Sequence, residues 1–421
     1  MSRPTAVQEA LIQPIHLTAI REYIVEALER EDEHGVADSV DLMISQAAYH
    51  GASDLHLEPW TEFAVLRYRI DGILQEIALV PRAFHTKLVA RIKVLADLIV
   101  YRRDVPQDGR IDGEKTSCGR PLRVSTVPTI RGENTVIRLL GDTQELYSID
   151  VLGFQPHVIE AIRESITRSQ GALLLTGPSS SGKTTTIYAL LREIMSLRKN
   201  ATNIVTIEDP VEYTMDKVVQ IQVNPHVDFT FATALRSILR QDPEVIMVGE
   251  IRDFETARMA IQSGLTGHYM ISTIHSGTAA GVFTRLIDMG IEPFLVSSAI
   301  TGVLAQRLVR LNCPECTQPY DPNPALLEHF NGIAPGERFF KGQGCPACEG
   351  IGYRSRAALG EVITMSTQLS EFVLTRPTTA AMQNAAVALG METLTDDGLN
   401  KARRGITTVE ELVRVLPSQG G

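Results

Sequence analysis

One stretch, Gly177-Pro178-Ser179-Ser180-Ser181-Gly182-Lys183-Thr184, constrains this chain more than any other. It follows the apolar run Ala172-Leu173-Leu174-Leu175 and opens a helix-forming segment, Thr185 to Met195. A strand, a glycine-bounded loop and Lys-Thr at a helix start are the context that a phosphate-binding P-loop requires. Backbone N–H groups of such a loop and the helix N-terminus attract a triphosphate. Lys183 is expected to neutralise the β- and γ-phosphates, and Thr184 to hold Mg²⁺ by its hydroxyl, with Gly177 to Thr185 forming the cradle for a nucleoside triphosphate. The bland alternative is a chance Gly/Ser-rich turn; the flanking strand and helix weigh against it.

With 421 residues there is room for two or three domains with cores of their own. The formal net charge of −10 argues against a broad nucleic-acid-binding surface, and no nucleic-acid partner is expected. No apolar run reaches the ~18 residues of a membrane span. The opening MSRPTAVQEALIQP lacks the basic segment and apolar centre of a secretory signal, so a cytosolic protein is expected. Five cysteines in this length do not suit a disulfide scaffold.

The pattern along the chain divides it. Leu17 to Leu28 has helical apolar spacing, and Asp38 or Ser39 can cap a second helix running through Tyr49. Leu55-His56-Leu57 and Phe63 to Ile70 read as strands, Asp71-Gly72 as a hairpin turn, and Ile73 to Leu79 as the return strand. Phe84 to Val100 reads as a helix, Pro106 to Gly109 as a loop, and Leu122 to Val127 and Thr135 to Leu140 as two more strands, giving an α+β domain. Gly141 to Ser148 is a polar joint. Beyond it, apolar strands Ala172–Thr176, Ile204–Glu208, Val245–Val248 and Tyr269–Thr273 alternate with helices, the pattern of an α/β domain with a parallel sheet. Ala279–Met289 and Pro293–Leu304 read as further helices, and Thr378 to Val415 as a helical tail broken at Gly390, Gly398 and Gly405. The expected boundaries are 1–36 (helix and linker), 37–145 (α+β domain), 146–310 (P-loop domain), 311–360 (cysteine subdomain) and 361–421 (helical tail).

Three polar stations follow the P-loop at strand ends: Glu208-Asp209 after Ile207, Glu250 after Val245–Val248, and the pair His268 and His275 flanking the third strand. Ligands of open α/β sheets bind at the carboxyl ends of strands, so these groups are candidates for one site. A carboxylate placed like Glu250 can polarise an attacking water or reach Mg²⁺ through water. Alone, Glu208 and Asp209 would pass for a strand-end turn before Pro210, and the histidines for satisfied core residues. No third ligand close in sequence supports a metal at the histidines, which read as polar groups sensing the γ-phosphate or a neighbouring subunit.

TIEDPVEY, RQDPEVIMVGEIRDFETA and TGHYMISTIHS resemble the Asp box, Walker B and His box of the secretion ATPases, which drive type II secretion, type IV pilus assembly and pilus retraction. GASDLHLEP, RYRIDG, RIKVLA, PQDGRI and RVSTVPTIRGENTVIRLL are similar to the domain that precedes the P-loop in that family, and the matches cover roughly residues 40 to 415. The resemblance implies a RecA-like ATPase domain, a preceding PAS-like α+β domain and a homo-hexamer. It assigns Glu208 and Glu250 to hydrolysis and His268 and His275 to the His box. It also assigns Arg123 and Arg138, in RVST and IRLL, to the γ-phosphate of a closed subunit, a role suited to guanidinium chemistry. On spacing alone both arginines would be solvated strand residues. Two departures stand out: Ser179-Ser180 where the family often has Thr-Gly, and Ser276-Gly277-Thr278 where it usually has Thr-Asn-Asp.

Cys313-Pro-Glu-Cys316 and Cys345-Pro-Ala-Cys348 are two CxxC pairs about 28 residues apart. Such pairs can complete a closed, structural four-thiolate Zn²⁺ site, with redox or metal-free thiols as the alternatives. The assembly-type secretion ATPases resemble this also, followed there by GYRSR and Glu361, whereas retraction ATPases lack the cluster. The expectation is thus a cytoplasmic ATPase peripheral to the bacterial inner membrane, bound through platform and docking proteins of a secretion or pilus machine. A DNA-translocating or conjugation ATPase and a non-hydrolysing nucleotide-gated subunit are the rivals.

Overall fold

The computed structural model describes residues 6–30, 34–140, 148–199, 201–330, 333–334 and 336–416. The chain divides into two compact units, residues 1–145 and 146–421. The polar joint read at 141–148 lies, save its last residue, outside the described residues.

In the first unit, helices Ala6–Ile12, Ile20–Glu29 and Gly35–Tyr49 precede strands β1 (Ala52–Pro59), β2 (Phe63–Ile70) and β3 (Ile73–Pro81), helix Arg82–Leu95, and strands β4 (Gln107–Ile111), β5 (Leu122–Thr129) and β6 (Gly132–Leu139). The strands form one antiparallel sheet in the order β3-β2-β1-β6-β5-β4. Alternation assigns its faces. Val124, Ile137, Leu55 and Tyr68 lie side by side across four strands in the apolar core, and the Tyr68 hydroxyl donates to the Met43 carbonyl of the helix above (2.7 Å). The opposite face carries the charged residues.

Three sequence expectations need correction here. The second helix starts at Gly35, because Ser39 does not cap it: its hydroxyl bonds back to the Gly35 carbonyl from inside the helix (2.7 Å). The helix beginning near Phe84 stops at Leu95 rather than Val100. Asp97 turns left-handed (φ 55), and the Leu98 N–H reaches back to the Lys93 carbonyl (2.9 Å), a Schellman closure. The loop read at Pro106 to Gly109 runs into β4.

In the second unit, β7 (Gly171–Thr176), β8 (Ile204–Glu208), β9 (Val219–Gln222), β10 (Val245–Ile251), β11 (Tyr269–Ile274) and β12 (Ile300–Asn312) precede a small hairpin, β13 (Thr317–Tyr320) with β14 (Phe339–Gly342), and β15 (Tyr353–Thr364). The main sheet has the order β15-β12-β7-β11-β10-β8-β9, parallel except for β15, which runs antiparallel on β12. Both faces are covered. Leu174, Val248 and Met270 face a core with helices Phe254–Leu265 and Ala279–Asp288, while Leu173, Leu175, Met247 and Ile271 face one with helix Lys183–Leu197.

The helix read at Pro293–Leu304 is corrected to Pro293–Ala299, and the chain then becomes β12. The first nine residues of β12 are nearly all buried on both sides, which erases the alternation that marks a strand. Strands β9 and β15 were not anticipated. In the tail, Gly390 and Gly405 end helices at positive φ, but Gly398 sits inside helix Leu394–Arg403, where a side chain would press on Leu412 (2.8 Å).

Candidate functional site

The P-loop leaves β7 at its carboxyl end and enters helix Lys183–Leu197. Gly177 (φ 150) and Gly182 (φ 87) are required by space as well as conformation. A side chain at Gly177 would lie 2.4 Å from the Gln306 carbonyl, and one at Gly182 2.8 Å from Gln306 Nε2. Ser180, where the family often has glycine, takes the left-handed conformation all the same (φ 60), at a cost of about 1–2 kcal/mol for an L residue. Successive turns of this kind aim backbone N–H groups into one concavity, a nest for an anion.

Behind the loop stands β12, which the sequence reading had missed. Gln306 donates to the Ser181 carbonyl (2.8 Å) and accepts from the Thr186 hydroxyl (2.9 Å), clamping the loop to the first turn of its helix. Arg307 donates to the Gly277 carbonyl (2.7 Å), tying the segment after β11 to the same strand. That segment is also latched by Thr176, whose hydroxyl donates to the Ser276 carbonyl (3.0 Å) and accepts from the Ser276 N–H (2.9 Å). Thr278, where the family usually has Asp, caps helix Ala279–Asp288, its oxygen accepting from the Gly281 N–H (3.1 Å).

A cavity of about 240 Å³ opens beside the loop, and Ser179, Ser180, Lys183, Thr184, Glu208, Asp209, Glu250 and His275 are among its walls. Lys183 donates to the carbonyls of Gly177 and Pro178 (both 2.8 Å), which leaves one of its three ammonium protons for a ligand. Burial and the neighbouring Arg307 guanidinium pull its pKa down from the ordinary lysine value, and Glu250 opposes them. A phosphate would remove that disadvantage, which suits the residues present to an anionic group. The Ser181 hydroxyl, buried in the loop without a hydrogen-bond partner, also fits one.

Glu250 sits in an irregularity of β10. Between Val248 and Ile251 that strand advances three residues while β11 advances two, from Ser272 to Ile274. Such a bulge re-aims a side chain. Hydroxyls of β11 fix it, Ser272 to the Val248 carbonyl (2.7 Å) and Thr273 to the Gly249 carbonyl (2.8 Å). One carboxylate oxygen of Glu250 pairs with Arg252, and the other lies 3.6 Å from His275 Nε2. Glu208 is only 4 % exposed, and its oxygens accept from the side chains of Tyr188, Thr206 (2.6 Å) and Gln220 (3.2 Å). None of those three donors was singled out in the sequence. Their one sequence signal is the closeness of Thr206 to Glu208 on an alternating strand.

His268 is not brought to this site. It precedes β11, whereas His275 follows it, and a strand of six residues puts about 20 Å between its ends. The His268 ring faces the Ser263 carbonyl instead (3.2 Å). Thr185 is also absent from the cavity walls.

Arg123 and Arg138 belong to the first unit, where they are direct cross-strand neighbours on β5 and β6. Arg110 on β4 extends the row beyond Arg123, and Asp54 on β1 continues it beyond Arg138. Like charges directly opposite destabilise a sheet. Asp54 offsets this by accepting from Arg138 Nε (2.9 Å), and Arg69 Nε lies 3.7 Å from the same carboxylate. Arg138 is bound through Nε while its side chain stays largely exposed.

The four cysteines converge. Cys313 and Cys316 follow the end of β12, Cys345 and Cys348 precede β15, and all four sulfurs lie within 4.8 Å of one another. The neighbouring separations of 3.8, 3.9 and 3.7 Å match the edge of about 3.8 Å that a tetrahedron of thiolates around Zn²⁺ at ~2.3 Å would have. They are far too long for a disulfide, at ~2.05 Å. The N–H groups of Cys345 and Gly352 point at Cys348 Sγ (both 3.2 Å), as donors to a thiolate would. The donor set is thus compatible with zinc.

Comparison with known proteins places these features in context. The family model described as "Type II/IV secretion system protein" matches residues 29–414. The chain is 43% identical over 389 residues to the type II secretion system ATPase E of Vibrio cholerae, covering 92% of this chain and 76% of that protein. It is 41% identical over 386 residues to the type IV pilus assembly ATPase PilB of Thermus thermophilus, covering 91% of this chain and 43% of that one. Among solved structures, the ATPase DotB of Legionella pneumophila superposes with a TM-score of 0.66 at 20% identity, covering 89% of this chain and 94% of that one, a likeness of fold.

Proposed function

The chain belongs to the type II/IV secretion system protein family, and we propose that it is an ATPase that powers a type II secretion or type IV pilus assembly machine. The observation that carries this reading is the single cavity that gathers Lys183, Thr184, Glu208, Glu250 and His275 beside the P-loop. Lys183 and the loop N–H groups hold the phosphates, and Thr184 holds Mg²⁺, which supplies charge neutralisation on the transferred phosphoryl group when bound. Glu250 accepts the proton of the attacking water, with His275 beside it. Arg123 and Arg138 act on the γ-phosphate. The motor works as a homo-hexamer on the cytoplasmic face of the inner membrane, held there by platform and docking proteins. Among the described residues no helix is long and apolar enough to cross a membrane.

The test is turnover by the purified, assembled protein. Mg²⁺-dependent ATP hydrolysis is expected, with tight ATP binding abolished by Lys183→Ala because the phosphates lose their main cationic partner. Hydrolysis persisting undiminished in Lys183→Ala would place the activity elsewhere. Turnover stimulated by DNA would favour the translocase rival.

Zinc belongs to the same reading. Cys313, Cys316, Cys345 and Cys348 hold one Zn²⁺ per chain, in a closed site with a structural role. Elemental analysis is expected to find it. Cys→Ser at any of the four should loosen residues 313–352 toward proteolysis, since metal binding and local folding are linked. A metal-free preparation equally resistant to proteolysis would remove zinc from the account.

A further inference from the structure

Glu208 and Glu250 share a cavity, yet the protein treats them differently. Glu250 has one oxygen on an exposed arginine and the other toward His275. Glu208 is enclosed. Tyr188 donates to its Oε2, while the Thr206 hydroxyl (2.6 Å) and Gln220 Nε2 (3.2 Å) donate to Oε1. A carboxylate with both oxygens engaged is held in one orientation and has few lone pairs left for a water.

The donors come from three elements. Tyr188 is on the helix that begins at Lys183, Thr206 is on β8 with Glu208 itself, and Gln220 is on the edge strand β9. Gln220 is in turn fixed: its amide donates to the Tyr213 carbonyl (3.1 Å) and accepts from the Met215 N–H (2.6 Å). Tyr188 also stacks on Tyr213, with ring centroids 4.2 Å apart. Tyr188 and Gln220 are therefore each held by a second contact.

We propose that Tyr188 is a positioning residue for ATP hydrolysis, tying Glu208 to the phosphate-binding helix as an oriented hydrogen-bond acceptor and leaving proton transfer to Glu250. This rests on the reading of the cavity as the hydrolytic site. Burial, then the bond to Glu208, raises the Tyr188 phenol well above its ordinary pKa, so it stays a donor throughout the working range. The titratable groups that line the same cavity are Lys183, Asp209, Glu212, Glu250 and His275, with Tyr213 packed against Tyr188.

The experiment is a double-mutant cycle between Tyr188→Phe and Glu208→Gln in the assembled ring, reading kcat and ADP affinity. Phenylalanine keeps the ring packed on Tyr213 and removes only the donor. Without that donor Glu208 is no longer held in one orientation, so kcat should fall about tenfold, the scale of one lost hydrogen bond, with ADP affinity within twofold of native. In the Glu208→Gln background the tyrosine change should then have little further effect, the mark of two residues acting as one unit. Gln220→Leu removes a donor at a separate position and should likewise lower kcat while ADP affinity is kept. Equal losses from Tyr188→Phe in both backgrounds, or native kcat in Tyr188→Phe, would overturn the assignment while leaving the hydrolytic site intact. Native turnover by Glu208→Gln would instead remove Glu208 from hydrolysis, and Tyr188 with it.

Discussion

Glu250→Gln should bind ATP and Mg²⁺ with near-native affinity and hydrolyse ATP at least about a hundredfold more slowly, the scale of a lost general base. The amide has the same shape, so the bulge between Val248 and Ile251 and the hydroxyl bonds from Ser272 and Thr273 that fix it remain. What is lost is the carboxylate's capacity to take a proton, together with its charge beside Lys183 and His275. Because Glu250 raises the pKa of Lys183 while burial and Arg307 lower it, the variant also withdraws one favourable influence on the lysine. A bound polyphosphate outweighs that loss, which is why affinity is expected to survive. Equilibrium nucleotide binding and steady-state phosphate release separate the two effects. Full turnover by Glu250→Gln would take Glu250 out of the mechanism.

Arg138→Ala should lower kcat by about two or more orders of magnitude with ADP affinity nearly unchanged, the signature of a group that completes the site only as the γ-phosphate is transferred. Arg123→Ala, its cross-strand neighbour, should act in the same direction. The substitutions are tolerable for the fold. Arg138 is exposed, and its partner Asp54 keeps Arg69 at 3.7 Å and the Ser53 hydroxyl at 2.8 Å. Removing one of two opposed guanidinium groups also relieves like-charge repulsion across the strands. ATP-dependent assembly of the ring should weaken as well. The comparison to make is kcat, ADP affinity and oligomer mass with and without a non-hydrolysable ATP analogue. Near-native kcat in both arginine variants would show that the N-terminal unit does not complete the active site.

Much of the architecture was legible because it is written locally. The strands β2 and β8 begin and end where alternation and apolar runs put them, and the hairpin at Asp71-Gly72 follows from two residues that accept positive φ (48 and 81). The errors have separate causes. Helix Arg82–Leu95 ends short of its apolar continuation because a single residue, Asp97, turns the chain. The helix read at Pro293–Leu304 overran the start of β12 because burial on both faces removes the period that distinguishes the two, and residues 305–312 carried no expected element. Gln306 and Arg307, the residues that brace the P-loop from behind, lie in that stretch.

The candidate site divides along the same line. The sequence by itself determined the P-loop, the carboxylates at the ends of two parallel strands and the four cysteines, since each lies in a contiguous motif whose spacing is its chemistry. Only the tertiary structure decided that His275 reaches the cavity and His268 does not, although both border one short strand. It alone showed that Tyr188 and Gln220 close around Glu208, from 20 and 12 residues away. A motif can specify which groups exist and in what order. Which of them meet, and which are buried against a donor, depends on strand order and side-chain packing, and these arise from contacts between segments that carry no mark of one another in the chain.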